Sequence, residues 1–262
     1  MHITKMHGLG NDYLYVLGEP KNPSELSIKL SDRHFGIGSD GMIWISKSDK
    51  ADFRMRIFNA DGSEAKMCGN GIRCVGKYVF DKGLTDKAVL NIETESGIKI
   101  LTLKTEDGKV KTVSVDMGET EVGEPVTVKA LDREYTLYPV SVGNPHAVIF
   151  VDDIEKTDVA KEGRAIEILP MFPGGVNVEF IEVKSQTELR MRVWERGSGI
   201  TLACGTGACA SVAAAVRAGH AKVNEEVKVV LDGGALRVTQ KKDGHAIKEG
   251  PAEFVFECEV NE

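Results

Sequence analysis

Two cysteines, Cys68 and Cys204, stand in one local setting at two places in the chain: Cys68-Gly69-Asn70-Gly71 and Cys204-Gly205-Thr206-Gly207. A thiol can be an acid, a base or a nucleophile, and its reactivity follows its ionisation. The Gly-x-Gly after each cysteine suits a helix start. There the first backbone N–H groups have no intrahelical partner and, with the helix dipole, attract anions and are expected to lower the pKa of a nearby thiol. Glycine at these positions lets a ligand approach the backbone closely. Two such helix starts related by a pseudo-two-fold axis would share one carboxylate and set a thiol on either side of the adjoining carbon. That is the arrangement inversion of an amino acid needs: one group takes the α-proton from one face while the other delivers a proton to the opposite face.

The elements that must position the thiols also come in two copies. Phe53-Arg54-Met55-Arg56-Ile57-Phe58 is answered by Leu189-Arg190-Met191-Arg192-Val193-Trp194, and Asp107-Gly108 by Asp243-Gly244, at the same separation as the cysteines (204 − 68 = 136). Gly10-Asn11 is answered by Gly143-Asn144 at a slightly shorter one (144 − 11 = 133). Matches in this order along the chain imply two copies of one fold. In each copy alternating, β-branched stretches such as 54–58 and 97–103 read as strands, and the Asp-Gly pairs read as hairpin turns. One helix per copy stands out, from near Gly69 to Gly83 and from near Gly205 to Gly219. The stretch 208–216 is small and nearly apolar all round, as a helix enclosed by a sheet must be.

These signals predict an α+β fold of two pseudo-symmetric domains, each a curved, mostly antiparallel sheet wrapped around a central helix, with the active site in the cleft between them. The expected domains are 1–118 and 119–262, the copies dividing within 118–131. The last strand, 253–260, is able to pair with either.

Composition narrows the functional classes. A formal net charge of −7 without a basic cluster argues against nucleic-acid binding, which needs concentrated Lys and Arg. No apolar run approaches the roughly 20 residues a membrane span requires. The N-terminal stretch Met1-His2-Ile3-Thr4-Lys5 lacks the pattern of a secretory signal, so a cytoplasmic location is expected. The five cysteines include no Cys-x-x-Cys pair, which argues against a zinc cage and a disulfide framework. Cys74, Cys209 and Cys258 read as packing residues. Cys74 and Cys209 also fall out of the repeat register (209 − 74 = 135).

Met67-Cys68-Gly69-Asn70-Gly71-Ile72-Arg73-Cys74, Ala203-Cys204-Gly205-Thr206-Gly207, Phe58-Asn59-Ala60-Asp61-Gly62, Gly143-Asn144-Pro145-His146 and Trp194-Glu195-Arg196-Gly197 together resemble the diaminopimelate epimerase family. The resemblance runs from Gly8-Leu9-Gly10-Asn11-Asp12 into the last third of the chain. It implies an isomerase that needs neither pyridoxal phosphate nor a metal and interconverts LL- and meso-diaminopimelate on the route to lysine and cell-wall precursors. Cys68 and Cys204 would be the acid/base pair. The reacting carboxylate would lie on the amides of Gly69, Asn70, Gly205 and Thr206. Glu195 and His146 would assist the thiols and hold the reacting ammonium, while Asn11, Asn59, Asn144, Asn177 and Arg196 would recognise the substrate, chiefly its distal end. The small-molecule substrate is the expected partner, with a homodimer allowed. Two positions depart from the family pattern. Gly41 stands where some members carry Gln, and Ile200 where many carry an acidic residue.

The residue chemistry of that set is coherent, since a guanidinium suits a carboxylate and an Asn amide can serve carboxylate and ammonium alike. Other readings of the residues stay open. Asn11 and Asn144 are also turn formers, His146 could be a structural histidine, and Glu195 and Arg196 could be solvated charges. A racemase of lysine or proline on the same scaffold, a thiol oxidoreductase and a non-catalytic amino-acid binder are the competing functions. Gly36-Ile37-Gly38-Ser39-Asp40-Gly41 fits a dinucleotide fingerprint in letters only, because 42–45 after it reads as strand where a helix is required.

Overall fold

The computed structural model describes residues 1–19 and 21–260. The end of the second expected domain, 261–262, lies outside the described residues. The chain divides into two compact units, Met1–Val115 with Gly250–Glu262, and Asp116–Glu249.

The first unit contains β1 (His2–Gly8), β2 (Asn11–Leu17), α1 (Pro23–Ser31), β3 (Gly41–Ser46), β4 (Phe53–Asn59), β5 (Glu64–Ala65), α2 (Gly71–Asp81), β6 (Val89–Thr94), β7 (Gly97–Glu106) and the start of β8 (Lys109–Glu119). The second contains β9 (Glu121–Val122), β10 (Val126–Ala130), β11 (Arg133–Ser141), β12 (Pro145–Phe150), α3 (Val159–Glu167), β13 (Asn177–Ser185), β14 (Glu188–Glu195), β15 (Gly199–Ile200), α4 (Gly205–Arg217), β16 (Glu226–Leu231), β17 (Gly234–Gln240) and β18 (His245–Pro251). The chain then returns to the first unit as β19 (Glu253–Glu259), antiparallel to β1.

The repeat read in the sequence is a repeat of topology. In the first unit the neighbours run β19-β1-β2-β3-β4-β6-β7-β8, antiparallel except at β2–β3 and β4–β6. In the second they run β10-β11-β12-β13-β14-β16-β17-β18, antiparallel except at β12–β13 and β14–β16. Each parallel pair needs a crossover, and a helix supplies every one: α1 and α2 in the first unit, α3 and α4 in the second. The terminal strand β19 thus fills in the first unit the edge place that β10 fills in the second.

Among the described residues two α-helices form in each unit, where one stood out in the sequence. Asn22-Pro23 marks the start of α1, Pro being at home in the first turn of a helix. The Asp158 carboxylate accepts from Lys161 N–H and caps α3. The central helices behave as the sequence predicts. In α2 every residue from Gly71 to Val79 is buried, and the helix packs on β1, β2 and β7. In α4 the run Ala208–Ala215 is buried against β11, β12, β13 and β17. Both helices close on glycines with positive φ, Gly83 and Gly219, at +72° and +80°. Asp107-Gly108 makes the β7–β8 hairpin and Asp243-Gly244 lies in the β17–β18 turn. The 36–41 loop runs straight into β3, so it opens no helix and forms no dinucleotide site. Among the described residues no helix is long and apolar enough to cross a membrane.

Candidate active site

Each thiol caps a central helix in the same way. Gly71 N–H donates to Cys68 Sγ at 3.3 Å and Ile72 N–H to the Cys68 carbonyl at 2.9 Å. Gly207 N–H donates to Cys204 Sγ at 3.3 Å and Ala208 N–H to the Cys204 carbonyl at 3.0 Å. The sulfurs therefore take the place that Ser, Thr or Asp oxygens usually hold at a helix start, satisfying an orphan amide. No disulfide joins any of the five cysteines. Cys74 is fully buried and burial pushes its thiol up to about 11, which keeps it an inert packing group.

In the first unit Cys68 is half-buried, and its S–H donates to Asn11 Oδ1 at 3.3 Å. Asn11 is fixed in turn because its Nδ2 donates to Asp40 Oδ2 at 2.8 Å. Arg33 clamps Asp40 at 2.9 Å and Asp12 at 2.8 Å, and Lys5 reaches Asp12 at 2.9 Å. The Asp12 carboxyl is held below its ordinary value: burial pushes it up, but Arg33 and Lys5 together outweigh that. Asn11 follows a two-residue turn, Leu9-Gly10, in which both residues have positive φ (59° and 85°); Gly10 adopts this without penalty. Tyr13, two residues on, is buried, and burial first, then the neighbouring Cys68 and Asp40, push its phenol well above the ordinary value.

The second unit gathers a denser set. His146 on β12 and Glu179 on the adjacent parallel strand β13 are both fully shielded from solvent, with His146 Nδ1 and Glu179 Oε1 2.7 Å apart. His146 Nε2 lies 3.1 Å from Asn144 Oδ1. Asn144 Nδ2 donates to Thr206 Oγ1 at 3.4 Å, and Thr206 Oγ1 is 3.6 Å from Cys204 Sγ. With the Asn144 amide turned this way, Nε2 of His146 is a donor. A polar chain thus runs from the buried carboxylate of Glu179 to the thiol. Removing one member would leave the other's polar group buried and unpaired, at a cost of about 1–3 kcal/mol.

Gly207 is required where it stands, since a Cβ there would lie 2.6 Å from Glu179 Oε1, 2.9 Å from Met191 Cε and 3.1 Å from Cys204 Sγ. Glu195, at the end of β14, accepts a hydrogen bond from the Thr201 hydroxyl and lies close enough to Cys204 for its charge to act on the thiol. Burial pushes the Glu195 carboxyl above its ordinary value, and Glu179 adds to the effect. A cavity of about 480 Å3 in this unit, a volume suited to a small ligand, is lined by Val122, Pro139, Val140 and Phe172 and reaches Asn144 and His146.

One expectation fails at Cys204. The helix start was expected to lower the thiol pKa. Burial, then the carboxylates of Glu195 and Glu179, push it well above the ordinary thiol value against the opposing hydrogen bonds from Thr206 and Gly207. At rest Cys204 is a thiol, equipped to give a proton, with a carboxyl beside it that can exchange one.

The remaining predicted residues are held by local partners. Asn177 is buried; its Nδ2 donates to Pro145 O at 3.0 Å and its Oδ1 accepts from Arg196 N–H at 3.0 Å. The exposed Arg196 guanidinium donates to Gly174 O at 3.1 Å. Asn59 Nδ2 donates to Ser63 Oγ at 3.0 Å. Asn70 is buried and its Oδ1 accepts from fully buried Arg73 at 2.9 Å; Arg73 also donates to Gly69 O at 3.1 Å and so braces the loop after Cys68. Gly205 is buried in the first turn of α4, next to half-buried Thr206. At Gly41 a Cβ would lie 2.2 Å from Phe58 O and 3.0 Å from the Tyr13 ring, so the backbone here leaves no room for a side chain. Ile200 is half-exposed on β15.

Glu179, Tyr13 and Asp40 went unread in the sequence. Tyr13 bears the same relation to Asn11 as His146 bears to Asn144, which is a signal the repeat offered. For Glu179 the signal is a charge inside the apolar run 176–181.

Comparison with known proteins identifies the family. The model of the diaminopimelate epimerase family matches residues 3–122 and 138–255, taking in both thiols. Diaminopimelate epimerase of Acetivibrio thermocellus is 50% identical over 277 residues, covering 100% of this chain and 99% of its own. That of Phocaeicola vulgatus is 52% identical over 274 residues, covering 98% and 97%. Among solved structures, a PhzF-family phenazine biosynthesis protein of Bacillus anthracis matches with a TM-score of 0.79 at 18% identity, covering 100% of this chain and 99% of its own. A hydroxyproline epimerase of Agrobacterium vitis matches at 0.73 and 17%, covering 98% and 91%. These structures share the fold; the relatives at half identity, matched end to end, show that the chain belongs to the diaminopimelate epimerase family.

Proposed function

We propose that this chain interconverts LL- and meso-2,6-diaminopimelate, in lysine and cell-wall precursor biosynthesis, using Cys68 and Cys204 as two separate acid/base groups and no cofactor. The observation that carries the reading is the matched capping of the two thiols, each accepting from the amide three residues on at a repeat-equivalent site. One thiolate takes the α-proton, leaving a carbanion conjugated with the carboxylate. The other thiol gives its proton to the opposite face, so one S–H forms as another is lost and the total charge is unchanged. The substrate carboxylate accepts from the amides at Gly69, Asn70, Gly205 and Thr206, where the helix dipoles favour the negative charge that builds up during proton removal.

Glu195 and His146 hold the reacting ammonium and support the thiols. Glu195 also relays protons between Cys204 and solvent, resetting the pair between turnovers. Asn11, Asn59, Asn144, Asn177 and Arg196 recognise the substrate, chiefly at its distal amino acid; those now bonded to backbone would redirect a donor on binding or act as struts. A homodimer is compatible with this reading, as is a cytoplasmic location.

Protein dialysed exhaustively against chelator should convert LL-diaminopimelate to the meso isomer, with no comparable turnover of lysine or proline. Activity that returns only on adding metal or pyridoxal phosphate would overturn the reading, and preferential turnover of lysine or proline would reassign the substrate.

A further inference from the structure

We propose that Glu179 is a positioning residue for the proton of Cys204: its buried carboxylate holds that sulfur in the thiol form and so makes Cys204 the resting acid of the pair. The inference rests on the reading of Cys204 as an acid/base group. The repeat breaks at one position beside the thiols. Ile43 on β3 and Glu179 on β13 are equivalent (179 − 43 = 136), and so are their cross-strand neighbours Ile57 and Val193 (193 − 57 = 136). Each packs against the second glycine after its cysteine. A Cβ at Gly71 would lie 2.5 Å from Ile43 Cδ1 and 3.5 Å from Cys68 Sγ, and one at Gly207 would lie 2.6 Å from Glu179 Oε1 and 3.1 Å from Cys204 Sγ. Where the first unit sets a methyl group beside its thiol, the second therefore sets a carboxylate.

Distance and burial give that carboxylate its effect. Its oxygen and the Cys204 sulfur both lie near one point, so they are no more than 5.7 Å apart (2.6 + 3.1). A like charge within about 4–6 Å disfavours ionisation of its neighbour. The Glu179 side chain is fully shielded from the water that would screen it. His146 Nδ1 answers Oε1 at 2.7 Å, but Oε2 is buried and meets no hydrogen-bond donor among the described residues, so part of the charge stays unanswered beside the sulfur. The other titratable groups around Cys204 are Glu195 at the end of β14 and His146 on β12, which is joined to the sulfur through Asn144 and Thr206. The first turn of α4 adds no acidic residue. The thiol is pushed up accordingly, by burial first and then by Glu195 and Glu179.

The test is Glu179→Gln, which keeps the shape and can still pair with His146 but removes the charge. Iodoacetamide reacts with thiolate, so the labelling rate of Cys204 against pH, read by peptide mapping, gives the midpoint at which the sulfur loses its proton. Looser packing in a variant would change the plateau rate and not the midpoint. In Glu179→Gln the midpoint should fall by about one pH unit, equivalent to about tenfold faster labelling at neutral pH. Glu179→Asp, which disturbs the packing but keeps the charge, should stay close to the wild-type midpoint. With diaminopimelate, the alkaline limb of kcat/KM, where the acid loses its proton, should move down with the Gln variant by the same amount. An unchanged midpoint in Glu179→Gln, or an Asp variant shifted as far as the Gln one, would overturn the proposal and leave Glu179 a brace for His146. So would a wild-type Cys204 midpoint at or below the ordinary thiol value of about 8.5, a result that needs no variant to fold. The labelling uses no substrate, so failure of the wild-type protein to epimerise diaminopimelate would remove the acid/base reading separately.

Discussion

Cys204→Ala should exchange the α-proton of one diaminopimelate stereoisomer with solvent, slowly, while epimerising neither isomer at more than about one hundredth of the wild-type rate. The two sulfurs cap two different helices, α2 and α4, at positions fixed by backbone amides. A thiol anchored in this way does not cross to the other face of a bound carbon. Under the proposed mechanism Cys68 should therefore still remove the proton from the isomer that presents it, with no group on the opposite face to complete inversion. Cys68→Ala should show the converse preference. Proton NMR in D2O separates exchange from inversion. If either single-cysteine variant epimerises both isomers at near the wild-type rate, one base does all the work and the repeat-matched thiols lose their assignment.

A second large effect is expected at Glu195. Burial and the neighbouring carboxylates raise the Cys204 thiol, so under the proposed mechanism a local group should accept and return its proton. Glu195→Gln keeps the shape and the Thr201 contact but cannot take a proton. A general acid–base group is typically worth 10²–10⁴-fold, and kcat should fall by about 10²-fold or more. The pH profile carries the sign. Because burial raises the Glu195 carboxyl, the acidic limb of kcat/KM in the wild type should lie above the ordinary carboxylate value of about 4.3, rate being lost as pH falls and the group protonates. In the variant that limb should vanish. A Glu195→Gln enzyme with wild-type kcat and an intact acidic limb would take Glu195 out of the proton path.

The repeat was the most legible feature of the chain because it is written in side chains that backbone geometry demands. Asp-Gly at the hairpins and positive-φ glycines after each central helix are local necessities, readable without tertiary contacts, whereas Gly207 is demanded by Glu179 and Met191, side chains that folding brings beside it. The crossover helices were harder. Residues 23–31 carry little amphipathic pattern, and only Asn22-Pro23 announces a helix. The ionisation of Cys204 was not legible for a different reason. The helix-start rule is local, whereas the carboxylates that override it come from β13 and from the end of β14, strands brought beside α4 only by folding. Glu179 belongs with them: its position in the first copy is Ile43, so the repeat gave no warning of a buried charge there. The list of substrate-binding asparagines came from family resemblance, and the structure gives Asn177 a backbone-bracing task that residue chemistry alone did not suggest.

Two opposed thiols are the central claim, and the isotope content of the first few per cent of wild-type turnover tests it most directly. LL-diaminopimelate is incubated in D2O and stopped early, and meso product and recovered substrate are separated and weighed by mass spectrometry. The proton taken by one sulfur can return only to the face it left, while the opposite sulfur delivers deuterium from solvent. The product should carry one deuterium at the inverted carbon, and the recovered substrate almost none. Product that retains protium at that carbon, or substrate labelled as heavily as product, would mean that one base serves both faces.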